Sequence, residues 1–153
     1  MKTGAVIMAS GFSRRMGENK LLLKYKGKTL IEHTADKVLD CDFYKIILVT
    51  SHKEVEQIFE NHAKNRNNFS IVINKDPALG ISESLKTGVK ELGECDVYMF
   101  FTGDQPGLSQ DTIKRILNKA EKDKIIVPKY QGKNGMPTAF GSDFFDGLMK
   151  LEG

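Results

Sequence analysis

Two stretches of this chain carry residues whose types and spacing could do chemistry. The first is ASGFSRRMGENK, Ala9 to Lys20, which leaves a short apolar run and at once presents Ala9, Ser10, Gly11 and Gly17 together with the cations Arg14, Arg15 and Lys20. Glycines let a backbone turn several amides toward one point, and a concave nest of N–H groups attracts an anion. Cations beside such a nest neutralise negative oxygens, so the loop points to a polyphosphate ligand. The second is FFTGDQPGL, Phe100 to Leu108, in which an apolar run ends on Gly103 and Asp104. A carboxylate facing a polyphosphate repels it unless a divalent cation lies between them, and Mg²⁺ is typically held by one or two carboxylates plus substrate phosphates. Two readings of Asp104 stand at this level: a metal ligand, or part of an Asp-Gln-Pro turn chosen for its backbone preferences.

Both stretches need a scaffold. The runs AVIM (5–8), KIILVT (45–50), FSIVIN (69–74), VYMFFT (97–102) and IIVP (125–128) are short, continuous and rich in β-branched or aromatic residues, as buried parallel strands are. Between them Leu30/Thr34/Val38, Val55/Ile58/Phe59 and Ile113/Ile116/Leu117/Ala120 repeat at helical spacing. Thr29 with Glu32 and Ser51 with Glu54 read as capping boxes. The alternation predicts an α/β fold, a Rossmann-like open, mostly parallel sheet with helices on both faces. Ligands of such sheets sit beyond the carboxyl ends of the strands, where the strand order reverses. The loop after the first strand falls there. With the second and third strands on one side of the first and the fourth on the other, Asp104 faces that loop.

Length and composition bound the rest. The 153 residues predict one domain, 1–153, with 40% hydrophobic and 28% charged residues in the ordinary globular range. The net charge of +3 comes from scattered lysines and arginines, which argues against a nucleic-acid partner. Cys41 and Cys95 have neither metal-ligand nor redox spacing and read as buried free thiols of a reducing, cytoplasmic compartment. No apolar run is long enough for a membrane span or a signal peptide. The GxGxxG dinucleotide fingerprint is missing, and so is the acidic residue after the second strand, where TSHK stands. The GKT at Gly27 to Thr29 has Leu22 where a P-loop needs its first glycine. His33, His52 and His62 share no zinc-ligand spacing. Tyr98, Phe100 and Phe101 read as core, and the lysine-rich 114–124 segment as a solvated helix face.

Four stretches in order also carry a resemblance. MASGFSRRMGENKLL is similar to the signature LAAGxSxRMGxxKLL of the molybdenum cofactor nucleotidyltransferases. NKDPALGISESLKTGV resembles that family's Asn, Gly and Ser-Leu before a helix, GDQP its metal-binding turn, and GKNGMPTAF its GxxGxPxxF stretch. The resemblance implies a fold of the nucleotide-diphospho-sugar transferase type. It also implies transfer of CMP from CTP to molybdopterin cofactor with release of diphosphate and Mg²⁺ as cofactor; Ser10 is nearer to the cytidylyl than to the guanylyl form of the motif. Carried over, Arg15, Lys20 and Asp104 would be catalytic, with Asp104 holding the metal. Ala9, Ser10, Gly11, Ser13, Arg14, Arg15, Gly17, Lys20, Asn74, Gly80, Ser84 and Gly103 would bind the nucleotide, and Gly135 and Pro137 the acceptor. Met136 stands where the family has His or Asn, and the family pattern continues into a Gly-Asp segment past Gly153. A molybdoenzyme receiving the product is the implied protein partner. Guanylyl transfer, transfer to a sugar phosphate or methylerythritol phosphate, and a nucleotide-binding module without turnover are the alternatives.

Overall fold

The computed structural model describes residues 1–11, 19–105 and 107–153. In chain order the strands are β1 (Thr3–Ala9), β2 (Lys24–Tyr25), β3 (Lys28–Thr29), β4 (Lys45–Thr50), β5 (Phe69–Ile73), β6 (Val97–Thr102), β7 (Ile125–Ile126), β8 (Lys129–Tyr130), β9 (Lys133–Asn134) and β10 (Thr138–Gly141). The helices are α1 (Leu30–Leu39), α2 (Lys53–Asn65), α3 (Ile81–Leu92), α4 (Gln110–Lys119) and α5 (Phe145–Met149). Six strands form the central sheet in the order β5-β4-β1-β6-β10-β7; β2 with β3 and β8 with β9 are separate hairpins.

β1 pairs in parallel with β4 on one side and β6 on the other, and β5 pairs in parallel with β4. The order therefore reverses at β1, as the sequence predicted. The far side differs from expectation. β10 runs antiparallel to β6 and to β7, and β7 is a two-residue strand rather than the whole of 125–128. Pro128 follows it closely, and proline has no N–H to donate to a ladder.

The continuous apolar runs follow from burial on both faces. Ala5, Ile7 and Ala9 of β1 join Ile46, Leu48, Met99 and Phe101 beneath α1, α2 and α4, which contribute Ile31, Phe59 and Ile113. Val6 and Met8 join Ile47, Val49, Tyr98 and Phe100 beneath α3 and α5, which contribute Val89, Leu92 and Leu148. The aromatic run of β6 is thus core on both faces.

The Thr29/Glu32 capping box forms at the start of α1. The one expected at Ser51 does not: α2 starts at Lys53 with His52 at its cap, and the Ser51 hydroxyl donates instead to the carbonyl of Ser10 at 3.4 Å. The resemblance implied a helix after Ser84 and Leu85, whereas α3 starts at Ile81 and includes both. Its buried face is Ser82, Ser84, Gly88, Val89 and Leu92, mostly small side chains. Small residues there bring α3 close to β1. A Cβ on Gly88 would lie 2.4 Å from Cγ1 of Val6, and one on Gly4 would lie 2.7 Å from Cδ1 of Leu92. No helix among the described residues is long and apolar enough to cross a membrane.

Two outcomes follow from this packing. Gly88→Ala overpacks the contact between α3 and β1 and costs about 1–3 kcal/mol, roughly 2–4 °C of Tm for each kcal/mol, measured by thermal unfolding. Cys41 and Cys95 are both buried and free, and burial pushes both thiols above the ordinary cysteine pKa. The reactive thiolate is therefore scarce at neutral pH, so both resist iodoacetamide in the native chain and react fully once it is unfolded, as read by mass spectrometry.

Candidate functional site

Parallel strands deliver their exits to one edge of the sheet, and here the exits of β1, β4, β5 and β6 share it. The exit of β1 is tied to that of β4 by side chains. The Thr50 hydroxyl donates to the carbonyl of Ala9 at 2.8 Å, the Ser10 hydroxyl donates to the carbonyl of Val49 at 3.3 Å, and an imidazole nitrogen of His52 lies 2.9 Å from the carbonyl of Gly11. Ala9, Ser10 and Thr50 are buried, and Gly11 is exposed with open space where a Cβ would be. The backbone thus emerges into the crevice from a fixed stem. Ser13, Arg14, Arg15 and Gly17 lie outside the described residues.

Lys20 opens a short 3-10 turn, Lys20–Leu22, whose cap is the Asn19 side chain accepting the N–H of Leu21 at 3.0 Å. Leu21 is buried in the core that includes Ile31, which anchors the turn beside β6. At the end of β6, the Gly103 N–H donates to the carbonyl of Met8 at 3.0 Å and extends the ladder with β1 by one residue. A Cβ on Gly103 would lie 2.8 Å from Cδ1 of Ile31 and 3.1 Å from Cδ2 of Leu21. Its absence lets the Leu21 turn close over the strand end. The result is an ion pair between Nζ of Lys20 and Oδ2 of Asp104 at 3.0 Å, partly open to solvent on both sides. Lys20 and Asp104, far apart in sequence, are brought into contact.

Asn74 and Ser84 are likewise brought together. The Asn74 N–H donates to the carbonyl of Thr50 at 2.9 Å, its Nδ2 donates to the Ser84 hydroxyl at 3.0 Å, and its Oδ1 accepts the N–H of Asp76 at 2.9 Å. Both side chains are buried. The start of α3 is thereby bound to the exit of β5 and, through Thr50, to the exit of β1. Gly80 caps α3 with a φ of +96°, in the region where only glycine is unstrained, and aims the uncapped first turn of the helix at the same edge.

Because β10 is antiparallel, its start rather than its end lies at this edge. Just before it come Gly135 and Pro137, where the Gly135 N–H donates to the carbonyl of Pro128 at 2.8 Å. The Tyr130 ring packs where a Gly135 Cβ would be, 2.5 Å away. Gln105 joins this segment to the Asp104 turn: its side-chain Nε2 donates to the carbonyl of Met136 at 3.0 Å, and its backbone N–H donates to the Thr34 hydroxyl of α1 at 3.0 Å. Thr34, Thr50, Ser51, His52 and Gln105 were not singled out as site residues from sequence. The only available signal was that they immediately flank strand exits or face them from α1.

Asp104 offers a hard oxygen donor of the kind that divalent cations take. Asp104 is a single, partly open carboxylate at the crevice, and the described residues contain no cluster of three or more His, Cys, Asp and Glu that would form an all-protein cage. Most ligands would then have to come from phosphates and water.

An open sheet with its crevice at β1, a glycine exit and a lysine–aspartate pair places the chain among folds that handle nucleotides without the dinucleotide fingerprint. A nucleotidyl transferase from Methanothermobacter thermautotroptrophicus has the same fold, with a TM-score of 0.82 and 29% identity over 98% of this chain and 76% of that one. The chain belongs to the MobA-like NTP transferase domain family, whose model matches residues 5–153. It is 36% identical over 132 residues to a probable molybdenum cofactor guanylyltransferase from Natranaerobius thermophilus, which is 84% of this chain and 60% of that protein. It is 33% identical over 134 residues to the molybdenum cofactor cytidylyltransferase of Escherichia coli, 86% of this chain and 66% of that protein. The chain thus spans less than two thirds of the length of either relative.

The Asn74 links make a prediction. Asn74→Ala leaves the buried Ser84 hydroxyl and the partly exposed Asp76 N–H without their partner and costs about 1–3 kcal/mol by urea unfolding. Ser84→Ala, which removes a single bond, costs less.

Proposed function

We propose that this chain transfers a nucleotidyl group, most plainly CMP from CTP, to the phosphate of molybdopterin cofactor with release of diphosphate. The observation that carries the reading is the Lys20–Asp104 pair at the crevice where the strand order reverses. It sets a cation for phosphate oxygens next to a carboxylate for a metal. Family membership and the two molybdenum cofactor relatives support the acceptor class. The base rests on Ser10, the cytidylyl-like residue of the first motif, while the 36% identity to a guanylyltransferase favours GTP as the second reading.

In this mechanism Ser10 and Gly11 present backbone to the triphosphate from the fixed stem, and Ser13, Arg14, Arg15 and Gly17 complete the loop. Asn74 at the exit of β5 and Gly80 and Ser84 at the start of α3 border the nucleotide, and Gly103 leaves room for the Leu21 turn that brings Lys20 to Asp104. Gly135 and Pro137 wall the acceptor side. An oxygen of the acceptor phosphate attacks the α-phosphorus; the new P–O bond forms as the bridging bond to the β-phosphate breaks, and the electron pair leaves with diphosphate. The acceptor is already anionic at neutral pH, so no side chain has to remove a proton. What the residues supply is alignment of two anions and screening of their repulsion. Mg²⁺ held by Asp104 would lower the repulsion between the acceptor and the α-phosphate. Lys20, released from Asp104, and Arg15 would stabilise charge on the departing diphosphate.

Thermal unfolding with CTP, GTP, ATP and UTP, each with and without Mg²⁺, tests this reading. A nucleotide at a hundred times its Kd stabilises by about 2.7 kcal/mol, a shift of several degrees at this size. The expected outcome is a Mg²⁺-dependent shift largest with CTP, whose metal-dependent part disappears in Asp104→Ala. A larger shift with GTP moves the base assignment, and no shift with any nucleotide overturns the reading.

A further inference from the structure

We infer that Gln105 is a positioning residue: its side-chain amide clamps the Met136 carbonyl and so holds the acceptor wall at a set place relative to Asp104. The inference rests on the acceptor reading of Gly135 and Pro137 given above. Gln105 directly follows Asp104, and its backbone N–H is fixed by the Thr34 hydroxyl on α1. Its Nε2 donates to the carbonyl of Met136 at 3.0 Å, while its Oε1 is buried and has no hydrogen-bond partner among the described residues. The opposite amide orientation would set an oxygen against a carbonyl oxygen, so the orientation is dictated by Met136. A buried acceptor without a donor is costly to the fold, and an apolar side chain of the same size would leave no such orphan. Stability therefore does not account for the amide. The Met136 carbonyl is also within 3.4 Å of the Tyr130 hydroxyl, so it retains a donor when Gln105 is replaced. Beyond the β6–β10 ladder that starts at Thr138, the Gln105 side chain ties Asp104 at the end of β6 to the 135–137 segment.

The test uses Gln105→Leu in the full chain. Amide hydrogen exchange of segment 128–138 should be faster in Gln105→Leu by about tenfold, the order expected for one hydrogen bond, with β1 and β4 unchanged and Tm retained. With molybdenum cofactor as acceptor, the KM for the cofactor should rise by about tenfold while the KM for the nucleotide stays at its wild-type value. A rise in one KM without the other is a signature that a merely structural role would not produce. Unchanged exchange in Gln105→Leu overturns the clamp whatever the wild-type chain catalyses. Faster exchange with an unchanged cofactor KM overturns its positioning role. Faster exchange alongside a wild-type chain that turns over no cofactor supports the clamp and overturns the acceptor reading.

Discussion

The site depends on one arrangement of hydrogen bonds: β1 is paired in parallel on both edges, with β4 on one side and β6 on the other. A strand held on both edges and buried on both faces has no freedom to shift register, because a slip of one residue would exchange its two faces and break both ladders. The backbone that leaves it at Ser10 therefore starts from a rigid origin. Its neighbours diverge to opposite sides of the sheet, so their connections open a crevice above β1. The hydroxyls of Ser10, Thr50 and Ser51 then tie the exits of β1 and β4 to each other. Those hydroxyls donate to carbonyls at the strand ends, which is why short hydroxyl residues follow the apolar runs at this edge.

The parts of the fold that were legible in the sequence are those whose signal is burial on both faces. β1, β4 and β6 are apolar runs buried on both faces, while β5, at the sheet edge with only Phe69 buried, shows itself by its β-branched residues; the strand order entered the sequence reading as a condition, which the sheet meets. α3 carries a weak periodic signal for a physical reason: its buried face is made of Ser82, Ser84 and Gly88 as much as of Val89 and Leu92, since close packing on β1 requires small side chains. β10 is four residues with Thr and Gly among them, and nothing in TAFG distinguishes it from a loop. The Ser51 capping box failed because its hydroxyl had a better use at the strand exit. For the site, residue types revealed Gly11, Lys20 and Asp104, whereas the contact between Lys20 and Asp104 and the role of Gln105 are products of tertiary structure.

The Lys20–Asp104 pair itself contributes little to holding the fold together, since a solvent-screened pair is worth about 0–1 kcal/mol. Its geometry is imposed from below. Leu21 is buried, Gly103 has no side chain to obstruct it, and the intervening 3-10 turn leaves Lys20 only a narrow range of places to be. The core thus spends apolar contacts to place two charges that have little hold on each other. Such a pair can be separated at small cost when each member meets a stronger partner.

The reversed direction of β10 has a consequence for how this scaffold can change. The 135–137 segment enters the sheet from the opposite end of its strand, after a long excursion through α4, β7 and the β8–β9 hairpin. Lengthening or recomposing that excursion alters the wall without disturbing β1, β4 or the loop between β1 and α1. The crevice is therefore built of two parts that share one edge and hang on different connections of the chain.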